Sequence, residues 1–212
     1  MIVIVTPDPN GCSSLCVSGP AKCPGLACLF ASQALAALAR MAAALVLLIP
    51  HTYLAQDSSA KLDLKTSAFR PGGNIPKQFT CSGADVSPDL TWSDPPPHTR
   101  SFALIMDDPD APVGTFVHWV VYNLPASARE LPAGVPGDTE ISGGGKQGVN
   151  DFPKTGYGGP CPPPGKPHRY FFRLYALDNQ LDLHGTVRRK DVDKAMKGHI
   201  LAHGELMGFF GR

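Results

Sequence analysis

The chain has 212 residues, 43% hydrophobic and 17% charged, and its 19 Lys plus Arg against 18 Asp plus Glu give a formal charge of +1. That length suits one domain with a tail, and that composition lets the domain bury a core. A near-neutral chain with no basic stripe excludes nucleic acid as a partner held by phosphate neutralisation.

Residues 1–55 read as lying outside the fold. Between Leu29 and Ile49 only Ser32, Gln33 and Arg40 interrupt a run of apolar and small residues. Arg40, the apolar core Met41–Ile49, the break at Pro50 and a cleavage position at Ala55 have the order of a secretory signal. Tyr53 departs from it, because a small residue is preferred three positions before cleavage. A single membrane anchor is the rival reading, and the uninterrupted apolar stretch is short for a bilayer. Met41 is an alternative start of translation. Cys12, Cys16, Cys23 and Cys28 are irregularly spaced, and no histidine precedes His51, so a zinc knuckle is not expected. Export is the expectation, and a cytoplasmic location the alternative.

From residue 56 onward the pattern becomes regular. "KLDLKTSAF" has the alternation of a half-buried strand, and "PGGNIPKQFTCSGADVSPDLTW" is turn-rich. "SFALIMDD", "TFVHWVVYNLP" and "RYFFRLYALD" are continuous apolar runs, the mark of strands covered on both faces. Between the second and third, "GDTEISGGGKQGVNDFPKTGYGG" exceeds an ordinary connection and is expected to be functional. "RKDVDKAMKGHILA" places Val192, Ala195, Met196 and His199 at helical spacing. The prediction is a mainly β sandwich with one short helix near its end.

Chemistry-bearing groups gather at the ends of these runs. Asp107, Asp108 and Asp110 close the first run, with Pro109 and Pro112 fixing the backbone around them. An acidic solvated turn is the plain alternative. His118 is placed by strict alternation on one face with Phe116, Val120 and Tyr122, opposite Val117, Trp119 and Val121. At the head of the third run, His168 and Tyr170 point one way, and Arg169 and Phe171 the other. Arg169 and Arg173 are expected to pair with acids such as Asp107 or Asp178. The preceding "GYGGPCPPPG" joins close-approach glycines to rigid prolines, as in the fixed rim of a small site.

"DDPDAPVGTFVHWVVYNLP" and "GYGGPCPPPGKPHRYFFRLYALD", flanked by "FTCSGADVSPDLTW" and "GHILAHGELMGFFGR", resemble the phosphatidylethanolamine-binding protein family, also called the Raf kinase inhibitor protein family, in its bacterial branch. The resemblance spans roughly Leu62 to Arg212. It implies a large antiparallel sheet packed on a smaller one, with short peripheral helices. It also implies a small pocket for anions, formed by Asp108, Asp110, His118, Gly159, Pro160, His168 and Tyr170, with Cys161 at the rim. A bacterial periplasmic or secreted protein fits the leader-like segment. The chain departs from the branch at Phe210, where a tyrosine is usual, and at Asp85, where asparagine is common.

The implied function is non-enzymatic binding of phosphate, a phosphoethanolamine-type head group or a phosphopeptide, without cofactor or metal. Carboxylates beside an anion are repulsive, so Gly158 and Gly159 amides and protonated His118 and His168 are expected to reverse the sign. On that reading binding tightens below about pH 6.5. The alternatives are a protein target, with the pocket rim inhibiting a protease or kinase, and a metal-dependent phosphoester hydrolase. Cys81 and Cys161 form either one disulfide or two part-buried thiols.

Overall fold

The computed structural model describes residues 60–212. The leader-like segment read above lies outside those residues. Among the described residues, no helix is long and apolar enough to cross a membrane.

The three apolar runs become the centre of one sheet. β4 (Ser101–Asp108) is buried along its whole length, β5 (Phe116–Pro125) pairs with it on one side, and β8 (His168–Leu177) on the other. β9 (Ile200–Phe210) lies outside β8, and the short β1 (Ala60–Lys61) and β7 (Lys146–Gln147) close the edges in the order β1-β9-β8-β4-β5-β7. All pairs are antiparallel except β1 with β9, which is parallel. A second sheet consists of β2 (Leu64–Lys65), β3 (Leu90–Trp92) and β6 (Glu130–Leu131).

The continuous hydrophobicity of β4 follows from cover on both faces. Phe102, Leu104 and Met106 join Trp119, Phe172 and Leu174 against Leu64, Leu90, Trp92 and Leu131 of the small sheet. Ala103 and Ile105 face the other way, with Val120, Tyr122, Val192 and Met196. Each large side chain so buried contributes about 1.5–3 kcal/mol before conformational entropy is counted. Val192 and Met196 belong to α1 (Arg189–Met196). The predicted helix therefore exists but stops early: Gly198 adopts φ +84°, which turns the chain, and His199 lies outside it. The next eleven residues form β9.

The predicted alternation along β5 fails at His118. Met106 pairs with Trp119 but Asp107 pairs with Val117, so His118 is the extra residue of a β-bulge. Val117 consequently joins Val120 and Tyr122 on the α1 side, while Trp119 and Val121 face the small sheet. His118 is thereby separated from the face that strict alternation assigned to it.

Candidate functional site

Beside that bulge lies a cavity of about 220 Å³, smaller than a drug-sized site. Its polar wall is Asp108 at the end of β4, His118 in β5 and His168 at the start of β8. Its apolar wall includes Pro112 and Val113 from the acidic turn, Phe116, Phe152, Pro162 and the rim residue Cys161. Among the described residues, no lysine or arginine lines it.

Each polar group is held on one side. Asp108 is 3% exposed; its Oδ1 accepts the Asp110 amide at 2.8 Å, and its Oδ2 contacts His168 Nδ1 at 2.7 Å. His118 is 2% exposed, and its Nδ1 is 2.7 Å from the Gly158 carbonyl oxygen. A carbonyl only accepts, so Nδ1 of His118 carries a proton and Nε2 is left to meet a ligand. Burial pushes the His118 pKa below its ordinary 6.5, against the opposing pull of the Gly158 hydrogen bond, the Asp108 charge, the Gly159 backbone and the Asp107 charge. The expected imidazolium at this position is therefore disfavoured. Aromatic rings pack around it: Phe116 at 5.2 Å, Phe152 at 5.3 Å and Tyr170 at 5.2 Å between centroids.

Tyr170 is fully buried. Among the described residues its hydroxyl meets no partner with full hydrogen-bond geometry. Burial, followed by the adjacent Asp108 charge, drives its pKa far above 10. Tyr170, expected in the pocket, is absent from the cavity wall; its hydroxyl lies in the field of Asp108.

Three further expectations change. Asp110 is absent from the cavity wall; its carboxylate takes the Arg169 backbone amide, Nε and Nη2 at 2.9, 2.9 and 2.6 Å. Those bonds hold its carboxyl well below the usual range, although burial works the other way. The Gly158 amide donates to His118 O at 3.0 Å and the Gly159 amide to Asp85 Oδ1 at 2.7 Å, so neither forms the expected anion-holding concavity. Gly159 is needed instead for close packing, because a Cβ there would lie 2.5 Å from both Phe79 O and Asp85 Oδ1. Pro160 is outside the cavity wall, its carbonyl accepting the Cys81 amide at 3.2 Å. Asp85 has φ 56°, a left-handed conformation that aspartate and asparagine tolerate.

The arginines pair differently from one another. Arg173 binds Asp107 and Glu205, whereas Arg169 binds Asp110; Asp178 pairs with His199 instead. Arg189 of α1 completes the Asp107 cluster at 2.6 Å. Cys81 and Cys161 are joined in a disulfide with Cα atoms 5.4 Å apart, which resolves the open alternative. It ties the rim loop to the turn after the 3₁₀ segment Lys77–Phe79.

Sequence reasoning missed Phe116 and Phe152 as cavity walls, and Asn150 as the residue that shapes their loop. Asn150 is fully buried; its oxygen accepts the Phe152 and Lys154 amides at 2.9 and 3.1 Å, and its amide donates to Gly156 O at 2.9 Å. The only advance signal was the length of the loop that contains both Asn150 and Phe152.

The architecture is thus a two-sheet β domain with a small, mostly apolar cup whose polar side is one carboxylate and two oriented imidazoles. The family model for phosphatidylethanolamine-binding protein matches residues 65–211, and the chain belongs to that family. It is 48% identical to a UPF0098 protein of Aquifex aeolicus over 78% of this chain and 97% of the relative. A UPF0098 protein of Methanothermobacter thermautotrophicus is 47% identical over 71% of this chain and 99% of the relative. Among solved structures, the putative phosphatidylethanolamine-binding protein homolog CT736 from Chlamydia trachomatis superposes with a TM-score of 0.66 at 39% identity, covering 72% of this chain and 98% of that one. E. coli YbcL, described as a new member of the mammalian PEBP family, gives a TM-score of 0.66 at 31% identity, covering 72% and 99%.

Proposed function

We propose that this protein binds a small oxyanion, phosphate or the phosphate of a phosphorylated molecule, in the cavity between Asp108, His118 and His168, without chemical turnover. The observation that carries this reading is the pair of imidazoles at one small cavity, each with Nδ1 committed to a protein oxygen. Both rings are thereby fixed with Nε2 as the remaining nitrogen. As an imidazolium, His168 forms a neutral pair with Asp108 and offers Nε2–H to an anion.

A binding role rather than hydrolysis is supported by the state of Cys161, whose sulfur is engaged in a disulfide and is no nucleophile. The disulfide also favours an oxidising, exported location over the cytoplasm. Phosphate, phosphoethanolamine and a phosphopeptide present the same oxygens to the site.

Isothermal titration of the purified protein with phosphate and with phosphoethanolamine tests the reading. Saturable binding to one site, weakened about tenfold or more in His168→Ala, is the expected result. Absence of heat and of competition at millimolar ligand overturns it.

A further inference from the structure

The donors and acceptors of the cavity wall specify more than an anion. Asp108 is a carboxylate with one oxygen on His168 and the other on the Asp110 amide, so it brings only acceptors toward the cavity. His118 has its Nδ1 proton spent on the Gly158 carbonyl, 2.7 Å away, and in the neutral ring Nε2 is an acceptor. The Gly158 and Gly159 amides, expected to balance these acceptors, are used elsewhere. Among the described residues, no lysine or arginine lines the wall. The groups acting on His118 are the Gly158 and Gly159 backbone, Asp108 and Asp107 from β4, and Tyr170 against its ring from β8. None of these is a cation. Phe116 and Phe152, which pack beside it, carry no charge.

We infer that the cavity selects oxyanions that carry a proton of their own: the ligand hydroxyl donates to His118 Nε2 while an anionic oxygen of the same group meets His168. This rests on the oxyanion reading above and narrows it to a chemical class. Hydrogen phosphate and phosphate monoesters belong to that class, because their last proton leaves only near pH ~6 or above. Sulfate has the same shape but no proton to give, and a phosphodiester has none either. Both leave the His118 lone pair buried and unpaired, or oblige the ring to take up a proton that burial disfavours. A site built to bond a ligand hydroxyl rejects the isostere that lacks it far more strongly than a size difference would. The natural ligand is accordingly a free phosphate or a monoester, and the diester linkage of an intact phospholipid is the wrong chemistry for this wall.

The test is a pair of matched competitions on the full chain at pH ~6, where a monoester still keeps about half of its last proton: phosphate against sulfate, and phosphoethanolamine against glycerophosphoethanolamine. The expected result is a preference of ten- to a hundredfold for the protonated member of each pair. A nitrogen-15 spectrum should show His118 retaining its neutral, Nδ1-protonated form when phosphate binds. His118→Phe should bind phosphate more weakly and lose most of the preference. If that variant does not fold, the wild-type ratios and the spectrum still decide the matter. Sulfate within twofold of phosphate, or a doubly protonated His118 in the complex, overturns the inference while leaving oxyanion binding intact. If none of the four ligands binds, the oxyanion reading itself falls and the inference falls with it.

Discussion

Asp107 and Asp108 are consecutive residues of β4, both almost fully buried, and they serve opposite faces of the sheet. Asp107 is clamped between Arg173 of β8 and Arg189 of α1, whereas Asp108 turns to His168 at the cavity. The separation predicts two different phenotypes. Asp107→Asn leaves two guanidiniums without their buried carboxylate. It should cost about 2–3 kcal/mol of stability, because both arginines keep some contact with water, while leaving phosphate affinity nearly unchanged. Asp108→Asn keeps an acceptor for the Asp110 amide but removes the charge facing His168; it should weaken phosphate about tenfold with a smaller effect on stability. Chemical denaturation and calorimetric titration of the two variants check the contrast.

Stability should fall as the solution is acidified through the histidine range. His118 has a folded pKa below 6.5, so under acid conditions the unfolded chain takes up its proton first and is favoured. The contribution is intact above pH 6.5 and is lost progressively below it, down to the depressed folded pKa. Asp110 works in a lower window: its folded pKa is depressed from 3.8, so its stabilising contribution is present above that value and disappears as pH falls below it. Thermal melts from pH 7.5 to 5 should show the first slope in the wild type and a flatter profile in His118→Phe.

The Cys81–Cys161 bond closes a separation of 80 residues. Reducing it should cost about 2–4 kcal/mol and lower the melting temperature by roughly 5–15 °C. Because Cys161 lies on the cavity wall, ligand affinity should fall in the same sample. Scanning calorimetry with and without a dithiol, and titration of the Cys81→Ser, Cys161→Ser double variant, measure both effects.

Gly159→Ala separates a packing role from an anion-holding one. The added methyl meets Phe79 O, Thr80 Cα and the Asp85 carboxylate, none of which yields easily. The expected loss is about 1–3 kcal/mol or more, and of equal size with and without saturating phosphate. A variant of normal stability that no longer binds phosphate would return the glycine amide to the site.

Much of the fold was legible in local pattern. β4, β5 and β8 announced themselves as apolar runs bounded by turn residues, and the resemblance carried the two-sheet arrangement. β9 was not read, because two of its buried inward positions are glycines rather than hydrophobic residues. Gly204 lies against Leu62, and Gly208 against Phe69 and Ile75, so it is the overlying chain that supplies the apolar contact. The orientation of His118 was misread for a related reason. A bulge shifts every side chain beyond it, and only the partner strand's register reveals one. Asp110 and the glycine amides were assigned to the ligand because their competitors, Arg169 and Asp85, are distant in sequence.

The residue order by itself determined that the three central apolar runs become strands, where the helix begins, and that acids and histidines gather at strand ends beside a stiff glycine-proline loop. Those are consequences of side-chain period and of backbone freedom, both local properties. Tertiary structure alone decided which polar atoms are already spent and which remain for a ligand. Hydrogen-bond partners here lie tens of residues apart, and each donor or acceptor goes to whichever neighbour the packed chain brings within about 3 Å.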